Sequence, residues 1–466
     1  MDDAGVVARL VAKARAAQAI AEQYDQAATD RLCAAAGWAI MEPSRNRALA
    51  LLAVRATGLG NVLDKIQKNH RKTLGLLRDL QGVKSVGVIA ENFATGVTEI
   101  ARAAGVVAAI TPSTNPGATP ANMIINAMKG RNAIILAPSP KGASTADLLL
   151  RYVHAEFSRI GAPHDLVQVL PSPVSKALTH ELLRQVDLVV ATGSQANIRA
   201  AYSSGTPAFG VGAGNVAAII DASADVSLAA ERIVRSKTFD NATSCSSENS
   251  IVIVDSVYEL MLAALTAQGC VLLNAIDTAK LEAVMFPGGK LSPAVTAKAA
   301  TEIAALADLT VAADTKVLLV NETGTGEGFP FSGEKLSPVL TVYRVADFAA
   351  AVQKVNEIYA YQGAGHSVGL HAAPQHADAL ALQLGLRLPV ARVIVNQAHC
   401  IATGGSFDNG LPFSLSMGCG TWGGNNFSDN LTYKNFLNIT RVARPIASQM
   451  PDESALFADY FSYVNR

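Results

Sequence analysis

Val106-Val107-Ala108-Ala109-Ile110-Thr111 is an apolar run that ends in a polar residue, and the helical pattern Pro120–Lys129 follows it. The same order of apolar strand and amphipathic helix recurs three more times along the chain. The strands are Ala133–Leu136, Leu166–Leu170 and Leu188–Ala191, and the helices are Ala143–Ile160, Ser175–Arg184 and Gln195–Tyr202. Strands that alternate with helices build parallel βαβ units, so this stretch predicts an α/β fold with a doubly wound, Rossmann-like sheet.

Regular patterns also flank this stretch on both sides. Residues 4–81 have the three- and four-residue apolar spacing of helices, and Val86–Ile89 and Val97–Arg102 have the pattern of paired strands. A second α/β region contains the predicted strands Ile251–Val254, Lys316–Val320, Ser367–Leu370 and Val393–Val395, and helices such as Asp225–Ser236 and Asp347–Glu357. From Asn396 onwards the chain is rich in Gly and Asn and is predicted to form loops. The sequence thus predicts two doubly wound domains and a hairpin.

Composition excludes several classes of partner. The chain has 466 residues, of which 50% are hydrophobic, and its 38 Lys and Arg balance its 38 Asp and Glu. A net charge of zero does not favour binding to nucleic acid or to an anionic membrane surface. Neutrality combined with such an apolar composition is typical of proteins that hide surface in an oligomer.

The cysteines and the first residues indicate the compartment. The five cysteines are an odd number without a Cys-x-x-Cys pair, which argues against a disulfide framework or a structural metal site. Met1-Asp2-Asp3 carries acids where a signal peptide has bases, and no apolar run reaches the roughly 18 residues of a membrane span. We therefore expect a cytoplasmic protein with no membrane partner and no metal.

One cysteine lies in an unusual setting. Cys245 is surrounded by small polar residues in the segment Ser236–Asn249, between a predicted helix and the strand Ile251–Val254. A thiol on such a turn can face a cleft and act as a nucleophile if its surroundings permit a thiolate. A lone cysteine is otherwise more often buried and inert.

Two polar segments follow strands of the first sheet. Asn115 comes after Val106–Thr111, where its amide could stabilise an oxyanion or could simply form an Asx turn before Pro116. The segment Thr192-Gly193-Ser194 follows another strand and opens a helix. Its N–H groups could bind a pyrophosphate, or Ser194 could be an ordinary helix cap.

Several motifs together resemble the aldehyde dehydrogenase superfamily, and specifically its CoA-acylating branch. The motifs are Phe239-Asp240-Asn241 with Cys245 and Ser247-Glu248, Asn115-Pro116, Glu334-Lys335-Leu336-Ser337-Pro338, Gly363–Ser367 and Gly418–Asn425. The resemblance extends from about residue 5 to about residue 446. It implies a dinucleotide-binding domain over residues 1–85 and 105–220, an oligomerisation hairpin over 86–104, a catalytic domain over 221–425 and a C-terminal segment over 426–466 with oligomer contacts.

The resemblance also implies roles for single residues. Cys245 would be the nucleophile and Asn115 the donor to the oxyanion, and the segment Thr192-Gly193-Ser194 would be the cofactor loop. Glu334 would hold the nicotinamide ribose. His366 could assist the thiol step, although a lone loop histidine is more often merely solvated.

One departure from the family separates two reaction outcomes. Hydrolytic members carry a Glu that activates water, and the stretch Val211-Gly212-Ala213-Gly214-Asn215 has Val211 at that position. Gly212 in this stretch is assigned to the cofactor site. Because valine cannot accept a proton, the thioester is expected to wait for the thiol of CoA. The alternatives are a non-acylating dehydrogenase that gives the free acid through another base, and a scaffold without catalysis.

The cofactor and substrate are less sharply defined. Where the superfamily often has a carboxylate for the adenosine ribose, this chain has Pro140, flanked by Ser139 and Lys141. The resemblance therefore allows NADP as well as NAD. A small aldehyde is the expected substrate, with sulfoacetaldehyde as a candidate, although no arginine cluster for a sulfonate is identifiable. A homodimer or homotetramer is expected.

Overall fold

The computed structural model of the protein describes residues 2–212 and 214–464. It contains two parallel sheets and one small antiparallel sheet, with helices on both faces of the parallel sheets. Ala213, which lies within the stretch that departs from the hydrolytic motif, is outside the described residues. No helix in the described ranges has the length and apolar character needed to cross a membrane.

Four helices begin the chain, as the apolar spacing predicts. They are α1 Asp3–Ala21, α2 Gln26–Met41, α3 Pro43–Thr57 and α4 Val62–Leu80. Asp2, Asp25 and Asn61 each cap the helix that follows by accepting a hydrogen bond from its first turn. The last of these helices, α4, carries buried polar residues that matter for the site below.

The predicted hairpin follows the helices. Strands β1 Gly87–Asn92 and β2 Val97–Ala103 pair antiparallel across a short turn. Strand β1 is mostly exposed. The location of these strands agrees with the sequence pattern, and their part in an oligomer is taken up below.

The first parallel sheet has five strands in the order β5-β4-β3-β6-β7. The strands are β3 Val106–Thr111, β4 Ala133–Pro138, β5 Val167–Val169, β6 Leu188–Thr192 and β7 Ala208–Val211. The helices are α5 Ala118–Lys129, α6 Ala143–Ile160, α7 Lys176–Gln185 and α8 Gln195–Tyr202. Every residue of β3 and β4 is buried, because helices cover both faces of the sheet. The predicted doubly wound fold is confirmed.

The second parallel sheet has seven strands in the order β10-β11-β12-β9-β8-β13-β14. The strands are β8 Val216–Ile220, β9 Glu248–Val254, β10 Cys270–Leu272, β11 Val317–Asn321, β12 Val339–Val345, β13 Val368–His371 and β14 Val393–Val395. The helices are α9 Val226–Thr238, α10 Tyr258–Ala267, α11 Ala275–Met285, α12 Ala300–Leu306, α13 Phe348–Tyr361, α14 Pro374–Arg387 and α15 His399–Ala402.

The boundary between the two units differs from the expected position after residue 220. Strand β8 pairs in parallel with β9 and β13, so residues 216–220 belong to the second sheet. The chain therefore passes from one sheet to the other between Val211 and Val216. An entirely apolar strand is stabilised only where both of its neighbours and both of its faces are covered, and β8 finds this in the second sheet.

The prediction that residues beyond Asn396 form only loops is wrong. Strand β15 Leu437–Ala443 pairs antiparallel with β2, and helix α16 Glu453–Val464 follows it. Both elements are largely exposed. The sequence of α16 nevertheless has apolar residues at helical spacing, which predict a helix: Leu456, Phe457, Tyr460, Phe461 and Val464. The preceding loops return to the first unit, where Phe413, Leu431 and Phe436 are part of its core.

Candidate active site

The candidate nucleophile lies where the two parallel sheets meet. Cys245 precedes β9, His366 precedes β13, and Gly214 lies between β7 and β8. A Cβ atom on Gly214 would be 2.5 Å from the carbonyl oxygen of Cys245 and 2.9 Å from the His366 ring. The carboxyl ends of the first sheet are thus joined to the amino ends of the second at this point, and only glycine allows so close an approach.

The loop that carries Cys245 is held by buried ion pairs. Asp240, Asn241 and Ala242 have positive φ angles of 52°, 51° and 57°, which L residues rarely adopt. The carboxylate of Asp240 is completely buried and binds the ammonium groups of Lys65 and Lys68 on α4. These contacts stabilise a strained turn beside the thiol, which is the kind of strain that functional sites retain.

Cys245 and His366 are in direct contact. The Sγ atom lies 3.5 Å from Nε2 of His366, and Cys245 is partly exposed whereas the other four cysteines are buried. Burial, and then the charge of Glu334, raise the pKa of Cys245 to about 12. Burial, and then Arg392, lower the pKa of His366 to about 3. In the ligand-free protein at neutral pH the pair is therefore a thiol beside a neutral imidazole, with the ring able to accept the proton.

A second histidine lies behind the first. Nδ1 of His366 is 2.8 Å from Oγ of Ser367, and the same Oγ is 2.8 Å from Nε2 of His399. If Nε2 of His366 accepts from the thiol, its Nδ1–H donates to Ser367, whose hydroxyl then donates to His399. Ser367 belongs to the motif Gly363–Ser367 that the sequence shows. Sequence reasoning missed His399, because nothing in the linear sequence relates it to His366.

Asn115 lies in the loop after β3 and is oriented by a lysine. Its Oδ1 accepts a hydrogen bond of 2.8 Å from Nζ of Lys68, which leaves its NH2 group as the donor to other partners. Sequence reasoning missed Lys68. Lys65, Lys68 and Lys72 recur at helical spacing on α4, but in the sequence this pattern is the same as that of a solvated face, and only the structure shows that all three are buried.

The predicted cofactor residues lie at the carboxyl ends of the first sheet. Thr192 ends β6 and its Oγ1 is 2.6 Å from Oγ of Ser416, while the Gly193 N–H donates to the carbonyl oxygen of Val211. Ser194 caps α8, because its side-chain oxygen accepts a hydrogen bond from the N–H of Asn197. It is therefore an ordinary helix cap in the ligand-free protein, as one of the two sequence interpretations predicts. The strand order reverses between β3 and β6, and such a point is where doubly wound sheets bind ligands.

Ser139 and Lys141 follow the neighbouring strand β4. The hydroxyl of Ser139 is buried and has no hydrogen-bond partner within the described residues, whereas Lys141 is exposed. A buried hydroxyl without a partner is costly unless a ligand satisfies it. This edge of the sheet therefore has the donors that a dinucleotide requires.

Glu334 and Gly214 lie on the nucleophile side, and Val211 and Gly212 precede them at the end of the first sheet. Oε1 of Glu334 accepts a hydrogen bond of 3.2 Å from the N–H of Gly214, and burial raises the pKa of Glu334 to about 8. A Cβ atom on Gly212 would be 2.4 Å from the side-chain amide of Gln195 at the start of α8. Val211 is buried at the end of β7 and offers no proton acceptor.

Comparison with known proteins decides the family. The model of the aldehyde dehydrogenase family matches residues 2–398. The chain belongs to the aldehyde dehydrogenase family. It is 66% identical over 99% of its length to the acylating sulfoacetaldehyde dehydrogenase of Cupriavidus necator, covering 94% of that protein. It is 41% identical to the corresponding enzyme of Bilophila wadsworthia, covering 96% of this chain and 97% of that protein.

A solved structure gives the same result for the fold. The acetylating aldehyde dehydrogenase of Geobacillus thermoglucosidasius superimposes with a TM-score of 0.92 at 35% identity, over 97% of this chain and 98% of that one. The predicted membership in the acylating branch of the aldehyde dehydrogenases is thereby confirmed. This aldehyde dehydrogenase is an acylating oxidoreductase, and the non-acylating alternative is not favoured.

Proposed function

We propose that this enzyme oxidises sulfoacetaldehyde with CoA and NAD(P)+ to sulfoacetyl-CoA, NAD(P)H and a proton, through a thioester on Cys245. The relatives from Cupriavidus necator and Bilophila wadsworthia support the choice of aldehyde. The observation that carries the mechanism is the 3.5 Å contact between Cys245 and His366 beside a segment in which Val211 replaces a base.

The first half-reaction uses the thiol, the imidazole and the amide. Nε2 of His366 accepts the proton of Cys245 as Sγ attacks the aldehyde carbon, and the carbonyl oxygen becomes an alkoxide. The NH2 group of Asn115 donates to that oxygen, because Lys68 already occupies Oδ1. A donor fixed before the reaction stabilises the developing charge without further reorganisation.

The described residues fit a nicotinamide dinucleotide. Such a cofactor supplies the acceptor for the hydride that leaves the aldehyde carbon. Ser139, Lys141 and the segment Thr192-Gly193-Ser194 would hold its adenosine and phosphate groups, with Gly212 providing space beside Gln195. Glu334 would orient the nicotinamide ribose close to Cys245. The unpartnered hydroxyl of Ser139 is the observation that best supports this placement.

The second half-reaction releases the acyl group. After hydride transfer, His366 releases its proton to solvent, which is the proton of the overall reaction. The neutral imidazole then accepts the proton of the CoA thiol, and the CoA thiolate attacks the thioester carbon and expels the thiolate of Cys245, so that one thioester replaces another. Water competes poorly, because the carboxylate that activates it in hydrolytic members is replaced by Val211. Return of the proton from His366 to the thiolate of Cys245 then regenerates the free enzyme.

The test is the dependence of product formation on CoA. With sulfoacetaldehyde and NAD(P)+ but no CoA, we expect a single turnover of NAD(P)H per active site. Addition of CoA is expected to restore steady turnover, with sulfoacetyl-CoA identified by mass spectrometry. Steady production of free sulfoacetate without any thiol contradicts the proposal. The Cys245→Ser variant provides the baseline without a nucleophile.

We also propose that the enzyme is a homodimer or homotetramer. Strand β1 forms the edge of the three-stranded sheet β1-β2-β15, and helix α16 is exposed along its length. The exposed aromatic side chains of α16 are Phe457, Tyr460, Phe461 and Tyr463. Exposed apolar patches of this kind mark contacts with other chains. A monomeric mass by light scattering at micromolar concentration contradicts this part of the proposal, and removal of residues 446–466 is expected to weaken the assembly.

The five cysteines of the chain are all free. Free thiols, one of them the proposed nucleophile, favour a reducing compartment such as the cytoplasm.

A further inference from the structure

A small cavity adjoins the oxyanion donor and the nucleophile loop. Its volume, measured as the space open to the centre of a water molecule, is about 30 Å³, and it reaches from Asn115 and Ser244 to the basic face of α4. The lining residues include Lys68, Arg71, Lys72, Phe239, Cys400 and Leu415. Because Ser244 directly precedes Cys245, this cavity borders the loop that carries the thiol. It contains three cationic side chains and, among its described lining residues, no carboxylate.

Not all of these cations are neutralised within the protein. Lys68 shares the carboxylate of Asp240 with Lys65. No carboxylate in residues 2–212 and 214–464 lies within 4 Å of the charged groups of Arg71 or Lys72, which form no salt bridge. Two cations beside a cavity therefore lack a counter-ion in the ligand-free protein.

Arg71 uses only part of its hydrogen-bonding capacity within the described part of the chain. Its Nη2 donates to Oγ of Ser406 at 2.9 Å and to the carbonyl oxygens of Ile401 and Gly405 at 3.2 and 3.3 Å. Its Nη1 and Nε groups have no such partner in the described part of the chain, and the side chain lines the cavity. These contacts hold one edge of the guanidinium and leave the rest of it for an oxyanion, which it can bind in a bidentate manner.

Lys72 is the more deeply placed cation. It is only 7% exposed, and its Nζ donates to the carbonyl oxygens of Gly404 at 2.6 Å and Gly405 at 3.5 Å. The ammonium group also lies 5.5 Å from the centre of the Phe413 ring. Burial of a charge that only carbonyl dipoles and an aromatic face compensate is costly. An anion that enters the cavity would pair with this ammonium group and offset the cost of its burial.

We propose that Arg71 and Lys72 bind the anionic group of the aldehyde, a sulfonate in the substrate proposed above. This inference rests on the proposed function, which it deepens by assigning the recognition of the charge. Lys72 lies one helical turn from Lys68, about 6 Å along the axis of α4. Lys68 orients Asn115, so the aldehyde oxygen and the anion are held at the two ends of a short span. That span suits a two-carbon aldehyde with a sulfonate at its far end.

The approach to this cavity is basic as well. A larger surface cleft shares Arg71 and Ile401 with it and is also lined by Arg232 and Arg235, with Asp408 as its one carboxylate among the described lining residues. Positive charge around an entrance raises the local concentration of an anionic substrate. This attraction becomes weaker as salt is added. The cleft therefore attracts the same class of substrate that the inner pair binds.

The experiment compares three aldehydes in wild-type enzyme and in two variants, Arg71→Met and Lys72→Met, each with saturating CoA and cofactor. The aldehydes are sulfoacetaldehyde, succinate semialdehyde and the uncharged propionaldehyde. We expect Arg71→Met to lower kcat/KM for sulfoacetaldehyde by about 10- to 100-fold, the usual effect of losing a charged hydrogen bond. For propionaldehyde we expect a change of less than about threefold, since it makes no such bond. Arg151→Met, which removes an exposed arginine from α6, is the matched control.

The outcomes separate this inference from the proposed substrate. Equal losses for sulfoacetaldehyde and propionaldehyde, or no loss for either, overturn the anion site while leaving the substrate standing. A wild-type preference for succinate semialdehyde that Arg71→Met abolishes supports the anion site and overturns sulfoacetaldehyde as the substrate. A wild-type enzyme that prefers propionaldehyde overturns both. If Lys72→Met does not fold, Arg71→Met and the charge-retaining Arg71→Lys still decide the question, with thermal melting as the check on folding.

Discussion

Lys68 donates a hydrogen bond of 2.8 Å to Oδ1 of Asn115. The same ammonium group forms an ion pair with Asp240, which belongs to the strained turn before Cys245. One lysine on α4 thus connects the loop that carries the proposed oxyanion donor with the loop that carries the proposed nucleophile. Lys65 is the natural comparison, because it also binds Asp240 but contacts the carbonyl oxygen of Thr114 instead of the amide.

The first prediction uses that pair of lysines. Lys68→Gln is expected to lower kcat by about 10- to 100-fold, because the amide of Asn115 loses its orientation and part of its effect on the oxyanion. Lys65→Gln removes one partner of Asp240 as well but is expected to keep kcat within about threefold. Both variants are expected to lower thermal stability to a similar extent. Equal kcat for the two variants would show that Lys68 acts only through Asp240.

The second prediction concerns the ionisation of the nucleophile. With a pKa of about 12, Cys245 is almost entirely protonated at neutral pH in the ligand-free enzyme. The rate of its alkylation by iodoacetamide should therefore rise about tenfold per pH unit from pH 7 to pH 10, as thiolate becomes available. Mass spectrometry of tryptic peptides locates the label, and Cys245→Ser should remove it. A rate that levels off below pH 9 contradicts the raised pKa.

The third prediction concerns the contact between the two sheets. Gly214→Ala places a Cβ atom 2.5 Å from the main chain of Cys245, which cannot move aside as a flexible side chain can. We expect kcat to fall by about 100-fold through displacement of the thiol from His366. Gly410→Ala is the control, since a Cβ atom there meets nothing within 4 Å. Unchanged activity in Gly214→Ala would mean that the two loops are not in contact in the working enzyme.

The sequence predicts the buried parts of the fold better than the exposed parts. Strands such as β3 are apolar up to their last residue because both of their faces are covered, and this pattern is visible in the sequence. Strand β15 is mostly exposed and polar, so only a weak apolar alternation marks it. Helix α16 does have apolar residues at helical spacing, and the general richness in Gly and Asn beyond Asn396 obscures that signal.

In the site as well, the sequence reveals only what a local pattern marks. Cys245, Asn115 and His366 are predicted site residues because each stands in a local motif, whereas Arg71, Lys72 and His399 become significant only through neighbours far along the chain. Arg71, for example, contacts Ser406, which is 335 residues away. Basic residues on a helix usually indicate a solvated face, and only the three-dimensional structure shows that this face is turned inwards.

The fourth prediction is a pH dependence that arises from Lys72. Burial, and then the charges of Arg71 and Lys68, lower its pKa to about 7, while Cys400 acts in the opposite direction. The ammonium form, which binds an anion, is therefore present below pH 7 and is lost as the pH rises. We expect the ratio of kcat/KM for sulfoacetaldehyde to that for propionaldehyde to fall between pH 6 and pH 9. The ratio cancels ionisations of the thiol and of CoA, and Lys72→Met is expected to make it independent of pH.

The last prediction concerns the choice of cofactor. A carboxylate at the adenosine ribose would bind the 2′-hydroxyl of NAD and repel the 2′-phosphate of NADP, and the chain has Pro140 at that position. Beside it, Ser139 has a hydroxyl without a partner in the described ranges, and Lys141 is exposed with no ion pair there. Both groups are free to meet a phosphate, so we expect NADP to be used at least as well as NAD.

The measurement is kcat/KM for each cofactor at saturating aldehyde and CoA. Lys141→Ala is expected to lower the value for NADP by up to about tenfold, because an exposed charge pair contributes little more than this, and to leave the value for NAD unchanged. Ser139→Ala should reduce both values, since its hydroxyl lies at the edge of β4 where either cofactor passes. A hundredfold preference of the wild-type enzyme for NAD would contradict the prediction and place the discrimination in contacts other than these two residues.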